Sequence, residues 1–544
     1  MLHFAPETLM LTRPRTQALT RSLLLCLIAH CCASNGFAKT RHHIPAKPAS
    51  LEKIISVILS DPAVARAHWG ISVTTLDGAP IYALNDLQYF KPASNAKLFT
   101  TAAALALLGP GFTMKTYVVA EGPVSSDGRL RGSLRLIGGG DPTLSGRAYP
   151  YSGHTEHSDP PFKALDDLAA QVAASGIKSI DGTIVADDTL FAFERYGSGW
   201  GQDDLMWDYG APVSALTVGD NFRNLTLTPG VQAGDAITAS WNPPLPDDAA
   251  LLKNEATTSP AGSEEHLGLD RQPDQSFLRA YGTIPAGSKP GNFGIAVQDS
   301  AKFAGEGFAQ ALASHGITGN PAVQVSHRLS GDTQDFDKES EQPLALKPLT
   351  STQLPFTLPP NARIVAERTS PPLSQIVTVV NKVSQNLHAE MLLRLLGKAG
   401  GDDGSVAQGA RVVRQFLISA GVSPDGFFFY DGSGLSPQDD ITPRATTTLL
   451  RYAARQPWGN VYRASLPVGG VDGTLDNRFM QPSMKGKVFA KTGTISGVHT
   501  LSGYLTTASG RTLVFSILCN DHSPVTDTTR GAMDNIVTAI AATN

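Results

Sequence analysis

Three short stretches carry residue types that could do acyl-transfer chemistry. In Ser94-Asn95-Ala96-Lys97 a serine precedes a lysine by three residues. On a helix that spacing puts both side chains on one face. The run that follows, Leu98 to Leu108, holds no charged residue, so the helix should be buried on most sides. A lysine in apolar surroundings has a lowered pKa and can act as a base. A serine hydroxyl needs such a base to become a nucleophile. A serine at a helix start also gains from the macrodipole, and its amide can face a developing oxyanion. The spacing alone is common, and a helix-capping serine beside a solvated lysine would read the same. The uncharged run after Lys97 argues against that plainer reading.

The second stretch is Ser384-Gln385-Asn386, inside an otherwise helical segment. Ser384 could relay a proton, and the Asn386 amide could hold a substrate carbonyl or the lysine; a capping serine is the bland alternative. The third is Lys491-Thr492-Gly493-Thr494. Lys491 offers a fixed cation and Thr492 a hydroxyl, together a seat for a carboxylate. Gly493 lets a substrate or a facing helix approach the backbone, and the Thr494 amide could be a second oxyanion donor. A surface turn would look similar.

These stretches need elements to hold them. Apolar spacing predicts a helix over 51–67 and strands over 69–76 and 80–84, then the buried helix that starts at the first stretch and stops at Gly109-Pro110. From 111 to 343 short strand-like runs alternate with turns, and helical pieces lie near 162–175 and 300–314. Residues 242–262 read as a long surface loop and 353–361 as a Pro-rich connector. A long helix is expected over 371–397, interrupted near Asn381, with further helices at 406–421 and 444–455. Strands at 488–491, 500–507 and 513–519 form an antiparallel meander because their loops are short, and a helix at 525–541 closes the chain.

Serine-x-x-lysine, serine-x-asparagine and lysine-threonine-glycine, in that order on a helix, a loop and a strand, are the joint marks of serine β-lactamases and penicillin-binding proteins. The chain resembles the class C low-molecular-mass penicillin-binding proteins, the penicillin-binding protein 4 type of D-alanyl-D-alanine carboxypeptidase/endopeptidase. The span from Ser94 to Ser384 is far longer than the resemblance implies for plain β-lactamases, and class C proteins carry extra domains there. Lys91-Pro92-Ala93-Ser94, Gly139-Gly140-Asp141-Pro142-Thr143-Leu144, Asp431-Gly432-Ser433-Gly434-Leu435-Ser436 and Gly470-Val471-Asp472-Gly473-Thr474-Leu475 are similar to family segments.

The resemblance implies an α/β (α+β) fold with helices on a mainly antiparallel sheet. The catalytic domain is split over 39–110 and 344–544, around a β-rich insert at 111–343 with one part nested in the other. It implies Ser94 as acylated nucleophile and Lys97 as base. Ser384 and Asn386 assist proton transfer and orientation, Lys491 and Thr492 bind the peptide carboxylate beside Gly493, and the amides of Ser94 and Thr494 form the oxyanion hole. Within the insert, Asp204 and Tyr209 fall where relatives hold the amino end of a diamino acid, with Asp203 and Asp208 as close rivals. Gln385 and Pro437 depart from the family pattern and bear on substrate preference. The substrates implied are peptidoglycan stem peptides, with β-lactams as covalent inhibitors. A serine β-lactamase or a non-catalytic penicillin-binding sensor of the same fold is the alternative.

Composition narrows the classes further. The 544 residues carry 44 Lys+Arg against 48 Asp+Glu, a net charge of −4. No basic run with interleaved aromatics points to nucleic acid. Residues 1–38 read as a secretory signal peptide: Arg13, Arg15 and Arg21, then Leu23 to Ala29, then small residues at Gly36 and Ala38. The apolar run is too short for a transmembrane anchor, so an exported, periplasmic protein is expected. Cleavage leaves Cys519 alone and rules out an intramolecular disulfide. His154-Thr155-Glu156-His157 and His42-His43 lack a third ligand at a known spacing. Gly138-Gly139-Gly140 lacks the dinucleotide-binding glycine order. No metal and no cofactor is expected.

Overall fold

Side chains alternate along His68–Thr75, and Trp69, Ile71 and Val73 point to one face while Gly70 and Ser72 point to the other. This strand sits inside a five-stranded sheet that runs, in spatial order, Val488–Ile495, Val498–Thr506, Thr512–Asn520, His68–Thr75 and Pro80–Leu84. Every neighbouring pair is antiparallel. Helices Leu51–Leu59 and Thr528–Thr543 cover one face through Ile55, Met533, Ile536 and Ile540. The other face meets a larger helical core, built from Ala96–Leu107, Leu373–Lys382, Asn386–Gly400, Val406–Ser419 and Pro443–Ala454. The fold is thus mixed α/β, with helices on both sides of an antiparallel sheet. The structure is a computed structural model that describes residues 50–544 except 154–156, 320, 332–333, 347–348, 350, 402 and 524–527. The expected signal peptide and His42-His43 lie outside the described residues. Among the described residues no helix is long and apolar enough to cross a membrane.

A second core lies within the long middle segment. Its mixed sheet runs Val323–Ser326, Ile184–Asp187, Ser133–Ile137, Lys115–Glu121 and Ala362–Thr369. Helices Lys163–Ala174 and Ser300–Ser314 pack on it through Leu165, Leu168, Ala304 and Phe308. A third core, around Leu225, Leu227, Leu278 and Ile284, joins the Phe222–Thr228, Thr238–Asn242 and Gly291–Ala296 sheet to the strands around Leu278–Pro285.

The structure departs from the sequence expectations at several places, each with a local cause. The first helix stops at Leu59, where Ser60 caps it and the Asp61 carboxylate accepts from the Ala63 amide across Pro62. The supposed loop at 242–262 contains the helix Asp248–Leu251 and the strands Leu252–Asn254 and Thr257–Ser259, which pair in parallel with Leu278–Pro285. Such short strands gain their order from a distant partner, which local patterning does not reveal. The first meander strand extends through the third motif to Ile495, and Ser496-Gly497 turns directly into Val498–Thr506. Gly497 has a φ of 70°, a left-handed conformation that glycine adopts without steric cost.

Asn95 fastens the helix layer to the sheet. Its Nδ2 donates to the Lys491 carbonyl at 3.1 Å and to Thr500 Oγ1 at 2.7 Å, and Thr500 Oγ1 donates to the Pro92 carbonyl at 2.9 Å. All of this is buried. Asn95→Ala leaves buried acceptors without a donor and should lower stability by about 2–3 kcal/mol. Urea unfolding of the full chain, with the slope unchanged and the midpoint lowered, checks this.

Candidate active site

Ser94 lies in a 3-10 turn, Ala93–Asn95, that leads into the Ala96–Leu107 helix, and the preceding Ala93 has a φ of 45°. This left-handed conformation is costly for a non-glycine residue and persists only where the surroundings fix it. One turn on, Lys97 is completely buried. Its Nζ lies 2.8 Å from Ser94 Oγ, 2.6 Å from Asn386 Oδ1 and 2.7 Å from the Ser433 carbonyl. Burial pulls the Lys97 pKa down to about 7, against the opposing pull of Asp431, Glu390 and Asp439. Two of its three partners are carbonyl oxygens and can only accept. A neutral amine has two N–H groups for those two oxygens, and its lone pair then faces the Ser94 hydroxyl.

The acidic groups beneath Lys97 organise the loop that supplies the Ser433 carbonyl. Glu390 Oε1 accepts from the Gly432 amide at 2.8 Å, and Asp431 accepts from the Gly434 and Ser436 amides at 2.6 and 2.8 Å. Burial and then Asp431 push the Glu390 pKa up to about 7, and the same two causes hold Asp439 well above the usual carboxylate range. Trp200 Nε1 donates to Asp431 at 2.9 Å, which seats the middle segment on this loop.

The second motif occupies a break between helices Leu373–Lys382 and Asn386–Gly400, with Ser384 at a φ of 63°. Ser384 Oγ accepts from Lys491 Nζ at 2.8 Å, and the same Nζ reaches the Thr492 carbonyl at 2.8 Å. Lys491 is also fully buried. Burial, and then the nearby Lys97, hold its pKa well below the usual lysine range. Gly493 is a necessity of packing. A Cβ there would stand 2.2 Å from Thr500 Oγ1 and 2.9 Å from both the Pro92 carbonyl oxygen and the Ser94 amide nitrogen. The Ser94 amide is therefore pressed against the third motif, one residue from Thr494 on the edge strand of the sheet. Thr492 Oγ1 and Thr474 Oγ1 share a hydrogen bond of 2.7 Å.

All three motifs thus meet at one place. Asn386 Oδ1 holds Lys97, the second of the two uses read from sequence. Its Nδ2 donates to the Tyr209 carbonyl at 2.8 Å, which brings the middle segment to the same place. The Tyr209 hydroxyl donates to Asp204 Oδ1 at 3.1 Å, and burial raises the pKa of the Asp204 carboxyl. Asp208 instead accepts from the Tyr209 amide at 2.8 Å, as a loop cap does. Sequence reasoning missed the Ser433 carbonyl and Asn95. A backbone acceptor has no side-chain signature, and Asn95 is legible only once Lys491 and Thr500 are known to be beside it. Among the described residues no group of three His, Cys, Asp or Glu could hold a metal ion, while His154, Thr155 and Glu156 lie outside them. Cys519 is buried and unbridged.

Comparison with known proteins gives the chain a family. The model of the D-Ala-D-Ala carboxypeptidase 3 (S13) family matches residues 51–347 and 349–540. The D-alanyl-D-alanine carboxypeptidase of Actinomadura sp. (strain R39) is 35% identical over 490 residues, spanning 88% of this chain and 82% of that protein. The D-alanyl-D-alanine carboxypeptidase DacB of Haemophilus influenzae is 25% identical over 443 residues, spanning 81% and 82%. The crystal structure of penicillin binding protein 4 (dacB) from Haemophilus influenzae has a TM-score of 0.72 at 22% identity, covers 89% of this chain and 98% of that one, and shares the fold. One family model thus takes in almost every described residue, including all three motifs, and the chain belongs to the D-Ala-D-Ala carboxypeptidase 3 (S13) family.

Proposed function

We propose that the protein is a serine-type D-Ala-D-Ala carboxypeptidase, with endopeptidase action on crosslinked stems, that works on peptidoglycan peptides through an acyl-enzyme on Ser94. The observation that carries this reading is the set of partners around Lys97 Nζ. Two acceptor-only oxygens at 2.6 and 2.7 Å leave the lone pair of a neutral amine facing Ser94 Oγ at 2.8 Å. Lys97 takes the Ser94 proton as Oγ attacks the D-Ala carbonyl carbon. The amides of Ser94 and Thr494 receive the oxyanion. As the C–N bond breaks, the leaving amine gains a proton by way of Ser384, which Lys491 holds at 2.8 Å. Water then cleaves the ester, and the Ser94 proton returns. Lys491 and Thr492 seat the terminal carboxylate. An arriving carboxylate favours the charged form of Lys491, opposing the burial that depresses its pKa.

Asp204 with Tyr209 takes the cationic end of the stem's diamino acid. The half-buried Asp204 carboxyl and the Tyr209–Asn386 bond support that assignment over Asp208, which caps its own loop. We also read the chain as a catalytic domain split over 39–110 and 344–544 around an insert at 111–343. The pairing of Ala362–Thr369 with Lys115–Glu121 carries the sheet of the insert past position 343. The protein is exported to the periplasm by the signal peptide at 1–38.

Benzylpenicillin should leave one adduct, and peptide mass spectrometry should find it on Ser94; an adduct elsewhere or none rejects the site. Steady nitrocefin turnover without an accumulating adduct marks a β-lactamase instead, and intact muropeptides marks a sensor. Lys97→Ala should slow acylation by about 10²–10⁴-fold with the fold retained; acylation near the wild-type rate removes Lys97 as base.

Acylation also depends on pH in a stated direction. The base acts in its neutral form, and its pKa lies at about 7. The rate should therefore climb by about tenfold per pH unit below that value and level off above it. A flat profile between pH 5 and 8 in stopped-flow acylation contradicts a lysine base.

A further inference from the structure

One carboxylate of the middle segment grips the loop that carries Ser384. Asp220 lies in the turn Gly219–Asn221, buried, with a φ of 53°. Its Oδ2 accepts from Arg147 Nε at 2.7 Å and from Gln385 Nε2 at 3.2 Å, and its Oδ1 accepts from His388 Nε2 at 2.9 Å. His157 Nε2 stands 3.4 Å from Oδ2. Burial alone would raise the pKa of this carboxyl, but Arg147 and then His388 outweigh it and keep the group below the usual carboxylate range.

Gln385 follows Ser384 directly, and His388 lies four residues after Ser384, beyond Asn386 and Leu387. Gln385 has a second duty, since its Oε1 accepts from the Leu387 amide and caps the Asn386–Gly400 helix. With both ends of its amide engaged, the Gln385 side chain cannot turn without breaking a bond. Asn386 is held as well, through the Tyr209 carbonyl. Ser384 itself, at a φ of 63°, occupies a conformation that a serine leaves unless something holds it. In that conformation its hydroxyl meets Lys491 Nζ at 2.8 Å. The two residues after Ser384 are thus tied to positions 165 and 177 residues away in the chain.

We propose that Asp220 is a positioning residue for acyl transfer: through Gln385 and His388 it fixes the backbone at Ser384, so the middle segment is a working part of the catalytic apparatus. This rests on the reading of Ser94, Lys97, Ser384 and Lys491 given above. D220N keeps the size of the side chain but removes its charge. It either turns an amide N–H toward the Arg147 and Gln385 donors or turns it toward His388. Q385E keeps the acceptor for the Leu387 amide and sets a carboxylate against a carboxylate. The double variant restores one donor–acceptor pair with its polarity reversed.

Stopped-flow acylation of the full chain by a fluorescent penicillin tests this. Labelling of wild type comes first, and its absence defeats the proposed function before any variant is compared. In D220N and in Q385E the acylation rate constant should fall by about 30-fold, the size of loss that a small misplacement near the chemistry produces. The dissociation constant of the preceding complex should stay within about threefold, and end-point labelling should still reach one adduct per chain. The double variant should regain about tenfold over the slower single one. If D220N fails to fold, Q385E alone decides. Single variants that acylate within about threefold of wild type overturn the proposal. So does a double variant no faster than the slower single, or a slow rate explained by a smaller labelled fraction.

Discussion

Burying the Lys97 amine sets the terms for everything around it. A charged ammonium in that position would need three acceptors and a counter-charge, whereas a neutral amine needs two acceptors and a donor. The partners come from three separate places and can meet the second arrangement: the hydroxyl of Ser94 on its own helix, the Asn386 amide oxygen at the start of another, and the Ser433 carbonyl from a loop. The loop cannot drift, because Glu390 and Asp431 accept from its amides. The helix cannot drift, because Asn95 and Thr500 fasten its start to the sheet. Each of these holds is itself buried, so loosening one exposes an unpaired polar group and not merely a weaker contact.

The sheet contributes differently. The edge strand Val488–Ile495 brings a second buried lysine close to the first, and Lys97 adds to the burial that holds the Lys491 pKa down. Gly493 sets how near the strand and the Ser94 turn can come, since no side chain fits in the gap. The Ser94 hydroxyl, Lys97 and Lys491 are thus placed by backbone contacts first and by side-chain bonds second.

Much of this was legible in the residues. The uncharged run after Lys97 announced a buried amine, and the helix interruption near Asn381 and the strand pattern at 488–491 placed the other two motifs on a loop and a strand. What remained hidden has a common physical cause: it depends on partners far along the chain. The Ser433 carbonyl, the strands within 242–262 and the pairing of Ala362–Thr369 with Lys115–Glu121 leave no periodic trace of their own. The first helix was read too long because its apolar spacing continues beyond the proline that ends it. Asp220 illustrates the same limit, since nothing in its neighbours foretells that it meets Gln385 and His388.

The strand His68–Thr75 lies beside Thr512–Asn520 in the middle of the five-stranded sheet. A ribosome makes the first of these early and the second near the end, so the early strand waits, unpaired on that side, while hundreds of residues are added. Contacts of such sequence separation form slowly, and an unsatisfied strand invites pairing with another molecule. The interior segment, with cores of its own, has time to collapse in that interval. Completion of the surroundings of Ser94 is in this sense a late event, and a newly made chain whose last strand is delayed is exposed to aggregation in the meantime.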